Sequence, residues 1–162
     1  MTKIKYFYFI ALGVFLLDIL TKMLTDGIVY APAIPGIFSI ESHHNTGASF
    51  SMFAGSNFAQ IMFIILAFAF AIGIVLFDCL NKKIYTNPWF YVGASLMLGG
   101  IIGNLYDRVF FGYVRDFISL DFMNFAIFNV ADVALCVGVA CVAVWLIFFA
   151  GKKEKVDGTK EV

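Results

Sequence analysis

Four long apolar stretches, separated by more polar connections, dominate the pattern of hydrophobic and polar positions along the chain. They cover residues 6–25, 58–77, 89–106 and 128–150. Each is long enough to cross a hydrocarbon core of about 30 Å as a helix that rises about 1.5 Å per residue. We therefore predict an all-α integral membrane protein with four transmembrane helices, organised as a single membrane-embedded domain over residues 1–162.

The two longer connections predict different structures. Residues 28–53 are rich in β-branched and aromatic residues and are interrupted by Pro and Gly. This pattern favours short extended strands, which would form a small β-strand cradle at the membrane surface. Residues 109–127 mix aromatic and polar residues, as is typical of a segment in the headgroup region, so we expect a second interfacial loop there.

The composition agrees with the membrane class. Hydrophobic residues make up 62% of the chain and charged residues 14%, whereas a soluble domain is closer to half apolar and about a quarter charged. The formal net charge is zero and the sequence contains no basic patch, so nucleic-acid binding is not expected. The first apolar stretch lacks a small-residue cleavage site and carries Asp18 and Lys22, which indicates a mature helix and not a signal peptide.

The basic residues predict the orientation. Eight of the 11 Lys and Arg lie at the N-terminus, between the second and third spans, and at the C-terminus, whereas residues 26–57 contain none. These eight are Lys3, Lys5, Lys82, Lys83, Lys152, Lys153, Lys155 and Lys160. By the positive-inside rule, we expect both termini and the tail 151–162 on the cytoplasmic side.

Polar side chains from three spans converge on the outer surface in this topology. They are Asp18 and Lys22 in the first span, Asn104, Asp107 and Arg108 at the end of the third, and Asn129 and Asp132 at the start of the fourth. An ionisable side chain inside a span costs at least about 2.5–3.5 kcal/mol on insertion scales, so such residues are rare and usually functional. The convergence indicates a site at the outer membrane boundary.

Several of the charged residues also have a structural interpretation. Asp18 and Lys22, four residues apart, fit a mutual ion pair as well as a role in orienting the site. The adjacent Asp107 and Arg108 favour an ion pair over catalysis. By composition alone, Asp116 is an ordinary loop acid.

Glycine and histidine residues are more easily interpreted. Gly99, Gly100 and Gly103 predict close helix packing, because small residues let membrane helices approach each other. His43 and His44 have no acidic residue or Cys beside them in a metal-ligand pattern, so we predict no metal site.

Five short motifs occur in order along the chain. They are DILTK (18–22), NTGASFS (45–51), GGIIGNLYDR (99–108), VRDF (114–117) and FNVADV (128–133). Taken together, they resemble the lipoprotein signal peptidase family, also called signal peptidase II. One departure is Ser51, where members of that family often have Gly.

The resemblance implies an intramembrane aspartic endopeptidase that removes the signal peptide from diacylglyceryl-modified bacterial prolipoproteins, cleaving before the lipid-bearing cysteine. The catalytic acids of the family match Asp116 and Asp132. Residues that shape the site or hold the substrate match Asn45, Gly47, Asn104, Arg108 and Asn129, with Asp18 and Lys22 in support. The resemblance implies no cofactor, membrane lipids as partners, and an active site at the extracytoplasmic face of the bacterial inner membrane. We expect a monomer.

The chemistry of two close carboxyl groups agrees with this activity. Such groups cannot both ionise, so one acts as a base toward water while the protonated one polarises the scissile carbonyl. A small proton-coupled transporter is the alternative, but it would place its acids near the midplane, often with an internal repeat. A scaffold subunit would leave the outer polar cluster without a purpose.

Overall fold

The computed structural model describes residues 2–47, 57–80 and 87–149 of the 162. The elements in order are α1 (Thr2–Thr25), β1 (Ala31–Ile34), β2 (Phe38–Asn45), α2 (Asn57–Leu80), α3 (Pro88–Phe111), β3 (Val114–Leu120) and α4 (Val130–Phe148). The described chain is mostly helical, and its three strands form one small antiparallel sheet in the order β1-β2-β3.

Within the described residues, three helical segments are long and apolar enough to cross a membrane: Tyr6–Thr25, Pro88–Phe111 and Val130–Phe148. The predicted second span lies in α2, a helix of 24 residues whose apolar described part is Ile61–Phe77. Large apolar side chains cover the outer faces of these helices; Phe9, Leu16, Ile65 and Ile147 are each more than half exposed. Apolar surface of this extent is expected where a protein faces lipid.

Helix α3 is the most buried of the three membrane-capable helices and packs against α1, α2 and α4. Glycines allow this close packing. A Cβ atom added at Gly99 would lie 2.6 Å from the carbonyl oxygen of Ala11 in α1, and one added at Gly100 would lie 2.6 Å from that of Ala131 in α4. The predicted packing role of these glycines is confirmed.

The helix ends differ from the predicted span limits for identifiable reasons. Helix α3 continues to Phe111 and ends at Gly112, which adopts the left-handed conformation (φ 77°) and donates its N–H to the carbonyl of Arg108. Helix α4 begins at Val130, because the side chain of Asn129 caps it by accepting from the main-chain N–H of Asp132. The carboxylate of Asp132 in turn accepts from the main-chain N–H of Asn129, which completes a capping box.

The cradle is the three-stranded sheet. Strands β1 and β2 confirm the extended structure predicted within residues 28–53. The prediction of an interfacial loop for residues 109–127 was incomplete, because this segment contains strand β3. Strand β3 pairs with β2, and His43 lies opposite Asp116. Two hydrogen bonds between the main chains of Ile118 and Phe128 then connect β3 to the start of α4. The strand depends on a distant partner, and a local sequence pattern does not reveal that partner.

Candidate active site

Two carboxyl groups, one from the sheet and one from a helix, meet at a single asparagine. Asp116 lies on β3 with 2% of its surface exposed, and Asp132 lies in the first turn of α4. The side-chain Nδ2 of Asn129 donates to Oδ1 of Asp116 at 2.6 Å, and its main-chain N–H donates to Oδ2 of Asp132 at 3.2 Å. We call Asp116 and Asp132 the acid pair.

Each acid also accepts a hydrogen bond from a second asparagine. Nδ2 of Asn45 donates to Oδ2 of Asp116 at 3.0 Å, and Nδ2 of Asn104 donates to Oδ1 of Asp132 at 2.8 Å. Asn45 is two residues beyond His43 on β2 and so shares the sheet face of Asp116, because side chains alternate along a strand. The amide N–H of the buried Gly47 holds the Asn45 side chain by donating to Oδ1 at 2.9 Å. All four carboxylate oxygens of the acid pair therefore accept hydrogen bonds.

The environment of Asp116 favours its protonated form. Burial, followed by the charge of Asp132, raises the pKa of Asp116 to about 7. The hydrogen bonds from Asn45 and Asn129 and the charge of Lys22 oppose this increase in pKa. Near neutral pH, Asp116 is therefore able to carry a proton beside the second carboxyl group.

A buried ammonium group lies behind the acid pair. Lys22 is fully buried, and its Nζ lies 2.7 Å from Oδ2 of Asp18 and 3.2 Å from Oδ2 of Asp107. The ion pair predicted from the spacing of Asp18 and Lys22 is thus confirmed. The same Nζ donates to Oδ1 of Asn104 at 3.0 Å, and Oδ1 of Asp18 accepts the N–H of Ala131 at 2.9 Å. This ion pair joins α1, α3 and the start of α4.

The predicted ion pair between Asp107 and Arg108 is wrong. Asp107 pairs with Lys22 and with Arg115, whose Nη2 lies 2.7 Å from Oδ1 of Asp107. Adjacent residues on a helix do not face each other, which separates Asp107 from Arg108. No role for Arg115 was predicted from the sequence. The sequence signal for Arg115 was its position next to Asp116 in VRDF. In a strand, neighbouring side chains point to opposite faces, so Arg115 faces away from Asp116.

Arg108 lies on the cavity side of α3. Its guanidinium lies 5.4 Å from the centre of the Phe63 ring, and Nη1 donates to the carbonyl oxygen of Asn104 at 3.5 Å. Within the described part of the chain, Arg108 forms no ion pair, and its buried Nε has no hydrogen-bond partner. A cation with unused donors therefore lies beside the acid pair.

A cavity of about 500 Å³ opens next to these side chains. Its polar wall consists of Asn45, Asn104, Arg108, Asp116 and Asp132. The remaining wall is apolar and comes mainly from residues 125–128 and from α4. A second cavity, of about 520 Å³, is lined by apolar residues and contains none of the acids. A ligand site combines apolar surface with a few converging polar groups, so the first cavity is the candidate active site.

Comparison with known proteins identifies the family. Residues 10–148 match the family described as signal peptidase (SPase) II. The chain belongs to the signal peptidase II family. It is 43% identical over 119 residues to the lipoprotein signal peptidase of Lactobacillus johnsonii, covering 74% of each chain. It is 37% identical over 155 residues to that of Bacillus subtilis, covering 92% of this chain and 97% of the relative.

A solved structure of a bacterial membrane enzyme superposes on this signal peptidase II family member with a TM-score of 0.82 and 32% sequence identity. The match covers 98% of this chain and 95% of that chain. Together with the three membrane-capable helices, it supports a membrane-embedded peptidase. The transporter alternative has no support from these comparisons.

The structure of this signal peptidase II family member brings the residues predicted for the site into one region. Asp116 and Asp132 share Asn129, and the network around them contains Asn45, Gly47, Asn104, Asp18 and Lys22, with Arg108 at the cavity wall. Ser51 lies outside the described residues. His43 and His44 are exposed, and the His44 ring stacks on Tyr113 with ring centres 4.1 Å apart.

Proposed function

We propose that this signal peptidase II family member is an intramembrane aspartic endopeptidase whose catalytic groups are Asp116 and Asp132. Its substrate is a diacylglyceryl-modified bacterial prolipoprotein, cleaved just before the lipid-bearing cysteine. The observation that carries the proposal is the contact of one asparagine, Asn129, with both carboxylates at the edge of a cavity of about 500 Å³.

The acid pair supplies both halves of the proton transfer in this mechanism. The ionised carboxylate takes a proton from water as the water oxygen attacks the scissile carbonyl carbon, and the protonated carboxyl gives its proton to the carbonyl oxygen. Collapse of the tetrahedral intermediate breaks the C–N bond and forms the product carboxyl group. The nitrogen takes up the proton held by the acid pair, and one hydroxyl of the intermediate returns a proton to the pair. The shared proton belongs to the pair and not to either residue alone.

The shape and polarity of the cavity support a lipid-modified peptide as substrate. The acids lie at one wall, and the remaining wall is apolar. The matched relatives are named lipoprotein signal peptidases. We assign the scissile peptide to the polar wall, where Arg108 donates to a substrate carbonyl, and the signal peptide and acyl chains to the apolar part.

The proposal includes a topology in the bacterial inner membrane. Helix α2, with the same 24-residue length as α1 and α3, is the fourth crossing. The distribution of Lys residues supports cytoplasmic termini. The acid pair then lies at the extracytoplasmic face, because α1 and α3 end and α4 begins beside it. The enzyme acts as a monomer and as a single domain.

Substitution of each acid tests the proposal. Purified Asp116→Asn and Asp132→Asn should insert and fold. Each should lose at least about a thousandfold in cleavage rate, because an amide cannot replace a carboxyl group in the proton transfers. The measurement is a gel-shift assay with diacylglyceryl prolipoprotein. Asp121→Asn is the matched control, since Asp121 accepts a hydrogen bond from Ser39 at 2.7 Å and lies outside the cavity. Normal cleavage by either catalytic variant would refute the assignment.

A further inference from the structure

Two donors converge on the side-chain oxygen of Asn104. Nζ of Lys22 lies 3.0 Å from Oδ1, and Nδ2 of Asn129 lies 3.1 Å from the same atom. A primary amide has one acceptor end and one donor end. With Oδ1 occupied by two donors, the NH₂ group of Asn104 faces Oδ1 of Asp132 at 2.8 Å. The reverse orientation would set donor against donor on one side and oxygen against oxygen on the other.

The ammonium of Lys22 is the fixed member of this arrangement. It has three N–H donors and no acceptor, and three oxygen atoms surround it, from Asp18, Asp107 and Asn104. The Lys22 side chain is fully buried, as are those of Asp18 and Asp107. The hydrogen bond to Asn104 therefore has one direction only, since Lys22 cannot accept from the amide.

The orientation continues through Asn129 to the other acid. Oδ1 of Asn129 accepts the main-chain N–H of Asp132 at 3.0 Å, which leaves Nδ2 as the donor end. That Nδ2 contacts both Oδ1 of Asn104, at 3.1 Å, and Oδ1 of Asp116, at 2.6 Å. The amide of Asn104 therefore contacts Asp132 directly and Asp116 through Asn129.

We propose that Lys22 is a positioning residue for the acid pair. By donating to Oδ1 of Asn104, it fixes the amide orientation that supplies a donor to Asp132 and an acceptor to Asn129. Lys22 acts through Asn104. The proposal rests on the proposed function of the acid pair, and it goes beyond the role of Lys22 as a buried ion-pair partner of Asp18.

A charge-balanced variant separates positioning from simple stabilisation. Lys22→Met with Asp18→Asn removes both charges of the pair, and the Asn keeps an oxygen to accept the N–H of Ala131. We expect kcat to fall about 10- to 100-fold, by analogy with the loss seen when a partner that orients a metal ligand is removed, with KM within about threefold. Wild-type kcat in the folded variant, with only Tm reduced, would overturn the proposal.

A mutant cycle with Asn104→Leu tests whether the effect passes through Asn104. In the Asn104→Leu background, adding Lys22→Met and Asp18→Asn should change kcat by less than about twofold, because the route through the amide is already removed. If the separate fold losses in kcat multiply in full, the effect of Lys22 does not pass through Asn104. Thr21→Val is the matched control, since the Thr21 hydroxyl bonds to main-chain oxygens of its own helix, Leu17 and Asp18, at 2.8 and 2.9 Å.

Two further measurements separate failure of the positioning role from failure of the acid pair. If the charge-balanced variant does not fold, the same cycle is measured with Lys22→Leu and Asp18→Asn, which keeps the charge balance. Asp132→Asn is assayed in parallel. Cleavage by Asp132→Asn would reject the acid pair itself, whereas an inactive Asp132→Asn together with wild-type kcat in the Lys22 variants would reject only the positioning role.

Discussion

At the scale of single residues, the site is organised by three asparagines, each of which donates to a carboxylate of the acid pair. Asn45 and Asn129 contact Asp116, and Asn104 contacts Asp132. Hydrogen bonds of this kind favour the ionised carboxylate, whereas burial and the neighbouring acid favour the protonated one. The pKa of Asp116, raised to about 7, is the net result of these opposing effects. Asn45 and Asn129 therefore limit how far the pKa of Asp116 rises.

Removing one asparagine donor should shift the pKa of Asp116 in a known direction. Asn45→Ala removes a hydrogen bond that lowers the pKa of Asp116, so this pKa rises further above its ordinary value of 3.8. The wild-type enzyme should lose activity as the pH rises through about 7, when the shared proton is lost. In Asn45→Ala, this alkaline limb of the kcat/KM profile should move to higher pH by about half a unit or more.

Ser39→Ala is the control for this measurement, because Ser39 lies on the same strand and bonds to Asp121, outside the acid pair. Its alkaline limb should coincide with that of the wild type. An unchanged or lower limb in Asn45→Ala would show that the hydrogen bond does not influence the titration.

At the scale of elements, contacts between helix main chains set the separation of Asn104 from Asp132. Gly93 and Gly138 face each other across the interface of α3 and α4; a Cβ added to either would lie 2.7 Å from the carbonyl oxygen of the other. Gly100 lies one helical turn before Asn104 and contacts the first turn of α4 at Ala131. The separation that allows the bond from Asn104 to Asp132 is therefore set by the lack of side chains at these glycines.

A single methyl group at Gly100 should test this dependence. In Gly100→Ala, the new Cβ would lie 2.6 Å from the carbonyl oxygen of Ala131, so α4 must move away from α3. Overpacking of this kind costs about 1–3 kcal/mol, and we expect a lower Tm together with a lower cleavage rate. Gly13→Ala is the control, since a Cβ there meets no atom within 4 Å and Ala favours a helix. Equal Tm values for the two variants would contradict the packing argument.

The helices could be predicted from the sequence, whereas features that depend on distant contacts could not. The apolar stretches and the glycine spacing predicted the helices and their close contact, because both signals are local. The end of α3 was missed because it depends on the left-handed cap at Gly112, and β3 was missed because it forms only against β2. Asp116 was first interpreted as a loop acid for the same reason, and only the family motif placed it in the site. Arg115 was missed because its partner, Asp107, lies in another element.

At the scale of the whole molecule, the buried polar side chains and the apolar core lie at different ends of the helix bundle. The buried core at the opposite end from the acid pair contains Phe7, Phe90, Tyr91 and Leu98. The acid pair, its asparagines and Lys22 lie where α1 and α3 end, α4 begins and the sheet packs. In the proposed mechanism, a substrate presents its scissile bond at one end of the molecule while its apolar part lies along the helices.

The lipid group on the substrate should then act mainly by positioning. An acyl chain that leaves the bilayer for an apolar cavity exchanges one hydrocarbon environment for another, so the gain of about 0.8 kcal/mol per CH₂ from water is largely absent. Its contribution is to hold the adjacent peptide bond at the depth of the acid pair, which raises the effective concentration of the reacting group. Unlipidated precursor should therefore show kcat/KM at least about tenfold lower, measured by gel shift on matched precursors reconstituted at equal density in the same bilayers. Equal turnover of the two forms would exclude positioning by the lipid and assign recognition to the signal peptide alone.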